Sequence, residues 1–256
     1  MPYAVVGGER VFYALHRSTL LHAPHLVLIH GAGGNHQHWG SAVRNLRMAN
    51  VYALDLPGHG HSSGIGLGSI PDYASCIWKF LDALQIERAL IGGHSMGGAI
   101  AMQVALDRPQ RVSGLMLVGT GARLRVLPAI LDGILSDPAS TVEFICATAY
   151  SSSTPRELVR QGQRQMLGVA PQTIHDDFAA CDLFDVIGRL EEIHCPTLVV
   201  CGTEDRLTPV KYSTFLTEKI AGADLKLIEG AGHMVMTEKP ELLAQALQVA
   251  LAKWKI

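Results

Sequence analysis

Three residues far apart in the chain are of the types that acyl-transfer chemistry needs: a serine at 95, an aspartate at 205 and a histidine at 233. Ser95 is the centre of Gly93-His94-Ser95-Met96-Gly97, a G-x-S-x-G pattern. A serine hydroxyl is a weak nucleophile at neutral pH unless a base takes its proton as attack occurs. A histidine can take that proton and later deliver it to the leaving alkoxide. A carboxylate on the second imidazole N–H would fix the tautomer and stabilise the imidazolium without itself becoming protonated.

G-x-S-x-G alone occurs by chance in many chains, so the elements around it carry the inference. Ala89-Leu90-Ile91 reads as a buried strand, and the run after Ser95 reads as a helix. A serine at so sharp a strand-to-helix turn is strained, and the residues two before and two after it must be small; Gly93 and Gly97 are. Leu198-Val199-Val200-Cys201 is an apolar strand ending in Gly202-Thr203-Glu204-Asp205, and Thr208-Pro209 predicts an N-cap followed by the first helical residue. Glu204 is the adjacent rival to Asp205. Leu225-Lys226-Leu227-Ile228 predicts a last short strand running into Gly230-Ala231-Gly232-His233, ahead of a helix that begins near Pro240. The chain order is therefore Ser, Asp, His, unlike the orders of the chymotrypsin and subtilisin types.

Two further segments complete a pattern: His30-Gly31-Ala32-Gly33-Gly34 after an early strand, and Asp55-Leu56-Pro57-Gly58-His59-Gly60 after the next. With these the chain resembles the α/β-hydrolase superfamily from end to end, in particular its small cofactor-free serine carboxylesterases and its lactone or carbon–carbon bond hydrolases with a helical cap. The resemblance implies an α/β-hydrolase fold: an eight-stranded, mostly parallel sheet flanked by helices, with a helical cap inserted after strand 6. It implies catalytic roles for Ser95, Asp205 and His233, and an oxyanion hole made by the backbone N–H groups of Ala32 and Met96. It favours Asp205 over Glu204. Some relatives carry the acid after the sixth strand, but here that point reads Val118-Gly119-Thr120-Gly121, with no carboxylate. A serine at 95, where other branches use aspartate or cysteine, argues against dehalogenase, epoxide-hydrolase and thiol chemistry.

Strand and helix patterns alternate through the rest of the chain, which implies a parallel sheet covered on both faces. Two short strands joined at Gly7-Gly8 come first, then an apolar run at Leu26 to Ile29, helical spacing from Trp39 to Arg47, and a strand at Val51 to Leu54. Ser69 and Pro71 mark the start of a helix with Tyr73, Ile77, Phe80, Leu81 and Leu84 on one face. The alternation stops between 121 and 192, where helical segments separated by breakers at Pro128, Pro138, Pro155 and Pro171 predict the cap. Residues 1–120 and 193–256 then form the core domain. Most apolar cap residues are expected to pack on one another, and a minority to face the serine.

Composition narrows the function. A chain of 256 residues suits one main domain, which buries roughly 75% of the surface its unfolded form exposes. With 21 Lys plus Arg against 23 Asp plus Glu, no broad field recruits nucleic acid or an anionic membrane. The expected partner is a small-molecule ester; oligomeric state is left open. Five cysteines without a Cys-x-x-Cys pair argue against a disulfide framework. No apolar run approaches the ~18 residues of a membrane span, and a basic start followed by a long apolar stretch is missing, so a cytoplasmic location without membrane insertion is expected.

His30, His36 and His38 cluster in sequence, yet no carboxylate or cysteine stands in ligand register with them, so neither a metal nor any other cofactor is expected. His30 is expected to hydrogen-bond within the oxyanion loop. Arg123 and Arg125 lie where a substrate carboxylate would enter, although two solvated arginines are the plainer reading. The leading expectation is hydrolysis of small to medium carboxylic esters through an acyl-enzyme. Lactone or carbon–carbon bond hydrolysis and monoacylglycerol cleavage use the same machinery, and a receptor with a lid and little turnover is the alternative outside enzymes.

Overall fold

Strands buried in a parallel sheet need apolar side chains on both faces, and this sequence supplies them as short unbroken runs. The computed structural model describes residues 2–255. In it β1 (Tyr3–Val6), β2 (Glu9–His16), β3 (His25–Ile29), β4 (Asn50–Leu54), β5 (Ala89–His94), β6 (Val112–Val118), β7 (Thr197–Gly202) and β8 (Asp224–Ile228) form one sheet. Its order is β1-β2-β4-β3-β5-β6-β7-β8. β1 with β2 and β2 with β4 pair antiparallel, and every later pairing is parallel.

The period of two along each strand sends neighbouring side chains into two separate cores. Val27, Ile29, Ile91, Leu115, Leu117 and Val199 join one, with α2 (Ile70–Ala83), α3 (Met96–Asp107) and α8 (Val210–Lys219). Leu26, Leu28, Leu90, Met116, Val118, Leu198 and Val200 join the other, with α1 (Ser41–Arg44) and α10 (Pro240–Trp254). Full burial of each such side chain stabilises the fold by about 1.5–3 kcal/mol, so a charge placed at Leu28 or Ile91 would break the sheet at its centre.

Between β6 and β7 the chain leaves the sheet for four helices: α4 (Pro128–Ser136), α5 (Pro138–Ala149), α6 (Arg156–Leu167) and α7 (Pro171–Leu183). They pack in the pairs α4–α7, α4–α5 and α5–α6. The prolines expected as breakers are starters. Pro128, Pro138 and Pro171 open their helices and Pro155 immediately precedes α6, because a first helical residue has no intrahelical use for the N–H that proline lacks. The helix expected from Trp39 to Arg47 is only one turn, Ser41–Arg44, between Gly40 and Asn45. A short α9 (Val235–Glu238) precedes α10. Among the described residues no helix is long and apolar enough to cross a membrane.

Candidate active site

Ser95 occupies the turn between β5 and α3 with φ 53° and ψ −115°, a left-handed conformation that costs a residue with a Cβ of order 1–3 kcal/mol. The surroundings enforce it. The Ser95 N–H donates to the Val118 carbonyl at 3.0 Å, and the Thr120 hydroxyl donates to the Ser95 carbonyl at 2.8 Å. A Cβ at Gly93 would collide with the Gly97 carbonyl, and one at Gly97 with the carbonyls of Ile29 and His30. Glycine is required at both because strand, turn and helix backbones touch there. Ser95 is also the N-cap of α3, a position where serine ordinarily bonds an amide of its own helix. Here its side chain makes no such bond, so the half-buried hydroxyl is not engaged in capping.

Asp205 follows β7 and His233 follows β8, so two loops at the same end of neighbouring strands bring them together. His233 Nδ1 donates to Asp205 Oδ2 at 2.9 Å. The same oxygen accepts the Thr208 hydroxyl at 2.8 Å, and Oδ1 accepts the N–H groups of Leu207 and Thr208 at 2.9 and 2.8 Å. Burial would raise the Asp205 carboxyl, but His233 and these donors hold it below the ordinary carboxylate range, so it stays ionised. Thr208, expected as a helix N-cap, is used instead as a ligand of this carboxylate, and Pro209 takes the cap position of α8. Glu204 points elsewhere, accepting from Ser152 at 3.3 Å. Gly119 lies against the pair: a Cβ there would stand 3.3 Å from both Asp205 Oδ2 and His233 Nδ1, and at φ +52° it would also be strained, so a larger residue after β6 would press on this arrangement.

Ser95 and His233 line the same two cavities. An inner one of about 60 Å³ is walled by Gly31, Ala32, Ile145, Cys146, Ala149, Met166, Phe178 and Met234, together with His38 and His94. An outer one of about 320 Å³ is walled largely by Leu124, Val126, Leu127, Ile130, Phe144, Phe178 and Leu207. No hydrogen bond joins the Ser95 hydroxyl to the imidazole among the described residues; bonds of this kind often tighten only in the substrate complex. Ala32 faces the inner cavity, Met96 is the first residue of α3, and a Cβ on Gly31 would touch Ser95 Cβ at 3.2 Å. The Ala32 loop and the start of α3 thus flank the hydroxyl, with the positive end of the helix dipole beside it.

The helical insertion grips both sides of this site. The fully buried Asp177 on α7 accepts the Gly33 N–H at 2.8 Å through Oδ2, His59 Nε2–H at 2.8 Å on the same oxygen, and the Tyr73 hydroxyl on Oδ1. On the histidine side, the His233 N–H donates to the Ala149 carbonyl at 2.7 Å. Glu238 accepts from the N–H groups of Gly232 and Ser151, both at 3.0 Å, and from the Thr154 hydroxyl. Burial acts against both charges of the Asp177–His59 pair, yet their mutual attraction prevails, raising His59 and lowering Asp177.

The remaining histidines divide by partner. His30 Nδ1–H donates to the Gly31 carbonyl at 2.8 Å and its Nε2 accepts the Leu56 N–H at 3.0 Å, which ties the Ala32 loop to the Asp55 loop. Burial pushes His30 down to about 3, so it is neutral. His36 bonds the buried Asp55, which also accepts the N–H groups of His36 and His61. Among the described residues no three His, Cys, Asp or Glu side chains converge as metal ligands. Arg123 is held by Asp185 at 2.6 Å and lines neither cavity that Ser95 faces; Arg125 lines the outer one but donates to the Asp182 carbonyl.

Asp177 and Glu238 are not nominated by any motif, and the sequence marks His38 only as one of a histidine cluster and Thr208 only as a helix cap. Asp177 had a readable signal: it falls in the stripe Thr173, Ile174, Asp177, Ala180, Cys181, where helical spacing calls for an apolar residue. A carboxylate is almost never fully buried unless paired. Nothing in the sequence names its partners, which lie 104 to 144 residues away.

The architecture agrees with what known proteins show. The family model of the alpha/beta hydrolase fold matches residues 24–240, and the chain belongs to that family. It is 31% identical over 257 residues to a pimeloyl-[acyl-carrier protein] methyl ester esterase of Vibrio campbellii, covering 92% of this chain and 98% of that one. It is 31% identical over 245 residues to a 2-hydroxy-6-oxononadienedioate/2-hydroxy-6-oxononatrienedioate hydrolase of Paraburkholderia phymatum, covering 87% and 85%. A solved thermophilic esterase superposes with a TM-score of 0.85 at 33% identity, covering 99% of this chain and 97% of that one.

Proposed function

We propose that this protein is a serine carboxylesterase that cleaves uncharged esters of small to medium size through an acyl-enzyme, using Ser95, His233 and Asp205, with residues 121–192 serving as its cap. The observation that carries this reading is the strained Ser95, whose uncapped hydroxyl faces the same cavities as an imidazole already bonded at Nδ1 by an ionised carboxylate. That bond places a proton on Nδ1 and leaves Nε2 as the base. As Ser95 Oγ attacks the ester carbonyl, its proton passes to Nε2, and the N–H groups of Ala32 and Met96 receive the oxyanion, each such donor contributing about 2.7–4 kcal/mol to the transition state. Collapse expels the alcohol, protonated by His233, and water then repeats the sequence on the acyl-serine. These groups suffice without a cofactor.

A neutral ester is preferred over a dicarboxylate diketone because the cations near the outer cavity are occupied. Arg206 donates to the carbonyls of Ala147 and Tyr150, and Arg125 to that of Asp182. The test is a series of p-nitrophenyl esters of increasing acyl length, assayed with wild type and Ser95→Ala. Turnover of short or medium chains that vanishes in the variant is expected; equal rates from the two proteins would end the proposal.

A further inference from the structure

The inner cavity holds two histidines that the chemistry above does not use. His38 closes the turn His36–His38, is 4% exposed, and has no hydrogen-bond partner for either ring nitrogen. Its ring lies against the oxyanion loop, since a Cβ on Gly34 would stand 2.7 Å from Nδ1. His94, beside the serine, donates Nε2–H to the His233 carbonyl at 3.1 Å, which leaves Nδ1 as a lone-pair acceptor, again unpartnered. Burial first, and neighbouring histidines second, push His38 down to about 4 and His94 well below its ordinary value. Both rings are therefore neutral at pH 7. Apart from Ser95, His233 and Tyr150, the rest of the wall is largely apolar, with Ile145, Met166, Phe178 and Met234 among its members.

A neutral imidazole presents one N–H donor and one acceptor. Leaving such groups unsatisfied inside an apolar wall costs about 1–3 kcal/mol each, a penalty that a leucine or phenylalanine at 38 would avoid. A charged substrate group fits poorly, because two neutral rings offer it no compensation. A hydroxyl both donates and accepts, which matches what these rings lack. We propose that His38, supported by His94, is a specificity-determining residue that binds an uncharged hydroxyl on the part of the ester entering the inner cavity. The preferred substrates are hydroxy esters. This rests on the carboxylesterase reading and names its substrate class.

The hydroxyl belongs to either the acyl or the alcohol half, and isosteric pairs separate the two: ethyl lactate against ethyl isobutyrate, and 2-hydroxyethyl butyrate against propyl butyrate. Each pair exchanges one hydroxyl for one methyl. After correction for the rates with hydroxide, wild type should favour the hydroxy member of one pair by roughly 5- to 150-fold in kcat/KM, the equivalent of one buried bond of about 1–3 kcal/mol. His38→Leu should abolish that preference, and His38→Gln, which keeps a donor and an acceptor, should retain part of it. No preference in wild type, or one unchanged in His38→Leu, overturns the proposal. A His38→Leu protein that loses activity on both members equally, with His38→Gln doing the same, also overturns it. Calorimetric binding of the same pairs to Ser95→Ala keeps the two readings apart. Tighter binding of the hydroxy ester that disappears in Ser95→Ala/His38→Leu supports the pocket even if wild type turns over no ester, and equal affinities refute it.

Discussion

Replacing Asp177 by alanine tests whether the insertion holds the site together or merely covers it. The carboxylate and His59 are both fully buried, and breaking a buried pair by removing one partner costs about 3–5 kcal/mol. The Gly33 N–H and the Tyr73 hydroxyl lose their acceptor as well. For a chain of this size each kcal/mol lowers Tm by about 2–4 °C, so Asp177→Ala should melt roughly 6–20 °C below wild type by calorimetry. Gly33 adjoins Ala32, so its release should displace the Ala32 N–H. Loss of one such donor lowers kcat by about 10²–10³, and a displaced one should fall short of that, at about 10-fold or more, measured on an ester well below Tm. Asp177→Asn keeps an acceptor for the Gly33 N–H and should lie between the two in both assays. The pair also has a pH signature. His59 is raised in the folded protein, so its contribution is complete below its unfolded pKa of about 6.5 and fades as pH rises through the higher folded value. Wild type should therefore lose an increment of stability on the alkaline side that Asp177→Asn does not show. An Asp177→Ala protein with Tm within about 2 °C of wild type and an unchanged kcat would refute the reasoning.

Acid should destabilise the protein through the histidines buried neutral. His30, His38 and His94 are all lowered in the folded state, so below about pH 6.5 the unfolded chain binds protons that the native one does not, at about 1.4 kcal/mol per pH unit for each fully titrating group. Urea midpoints measured from pH 7 to 5 should fall steeply, with a shallower slope in His38→Leu; parallel slopes would contradict the burial argument. Glu238→Ala should loosen the His233 loop by removing the acceptor for Gly232 and Ser151, at a cost of about 1–3 kcal/mol. A lower kcat with little change in KM is expected, with Glu238→Gln close to wild type, and a kcat equal to wild type in Glu238→Ala would count against this role.

Much of the architecture was legible because each strand satisfies a local rule. β3, β5, β6 and β7 each contain an unbroken apolar run, since a parallel sheet with two covered faces tolerates little else. Ser95 stood out because Gly93 and Gly97 answer a steric demand that any chain making this turn must meet. Asp205 and His233 could be nominated because both end strands, where glycine-rich loops leave a side chain free. The prolines of the insertion were misread for a physical reason: the same missing N–H that stops a helix from within is harmless at its first residue. Likewise Thr208 was read as a cap because its sequence context fits one, whereas the Asp205 carboxylate is the stronger acceptor for its hydroxyl.

By itself the amino-acid sequence determined the alternation of elements, the strained serine turn, and which residue types stand at strand ends, since these depend on contacts a few residues away. The tertiary structure alone decided that Arg123 turns to Asp185, that Asp177 bonds Gly33, and that His38 enters the cavity unpartnered. Each of those outcomes depends on the direction of a side chain relative to groups remote in sequence. Burial makes every such pairing costly to omit, but nothing local identifies the partner.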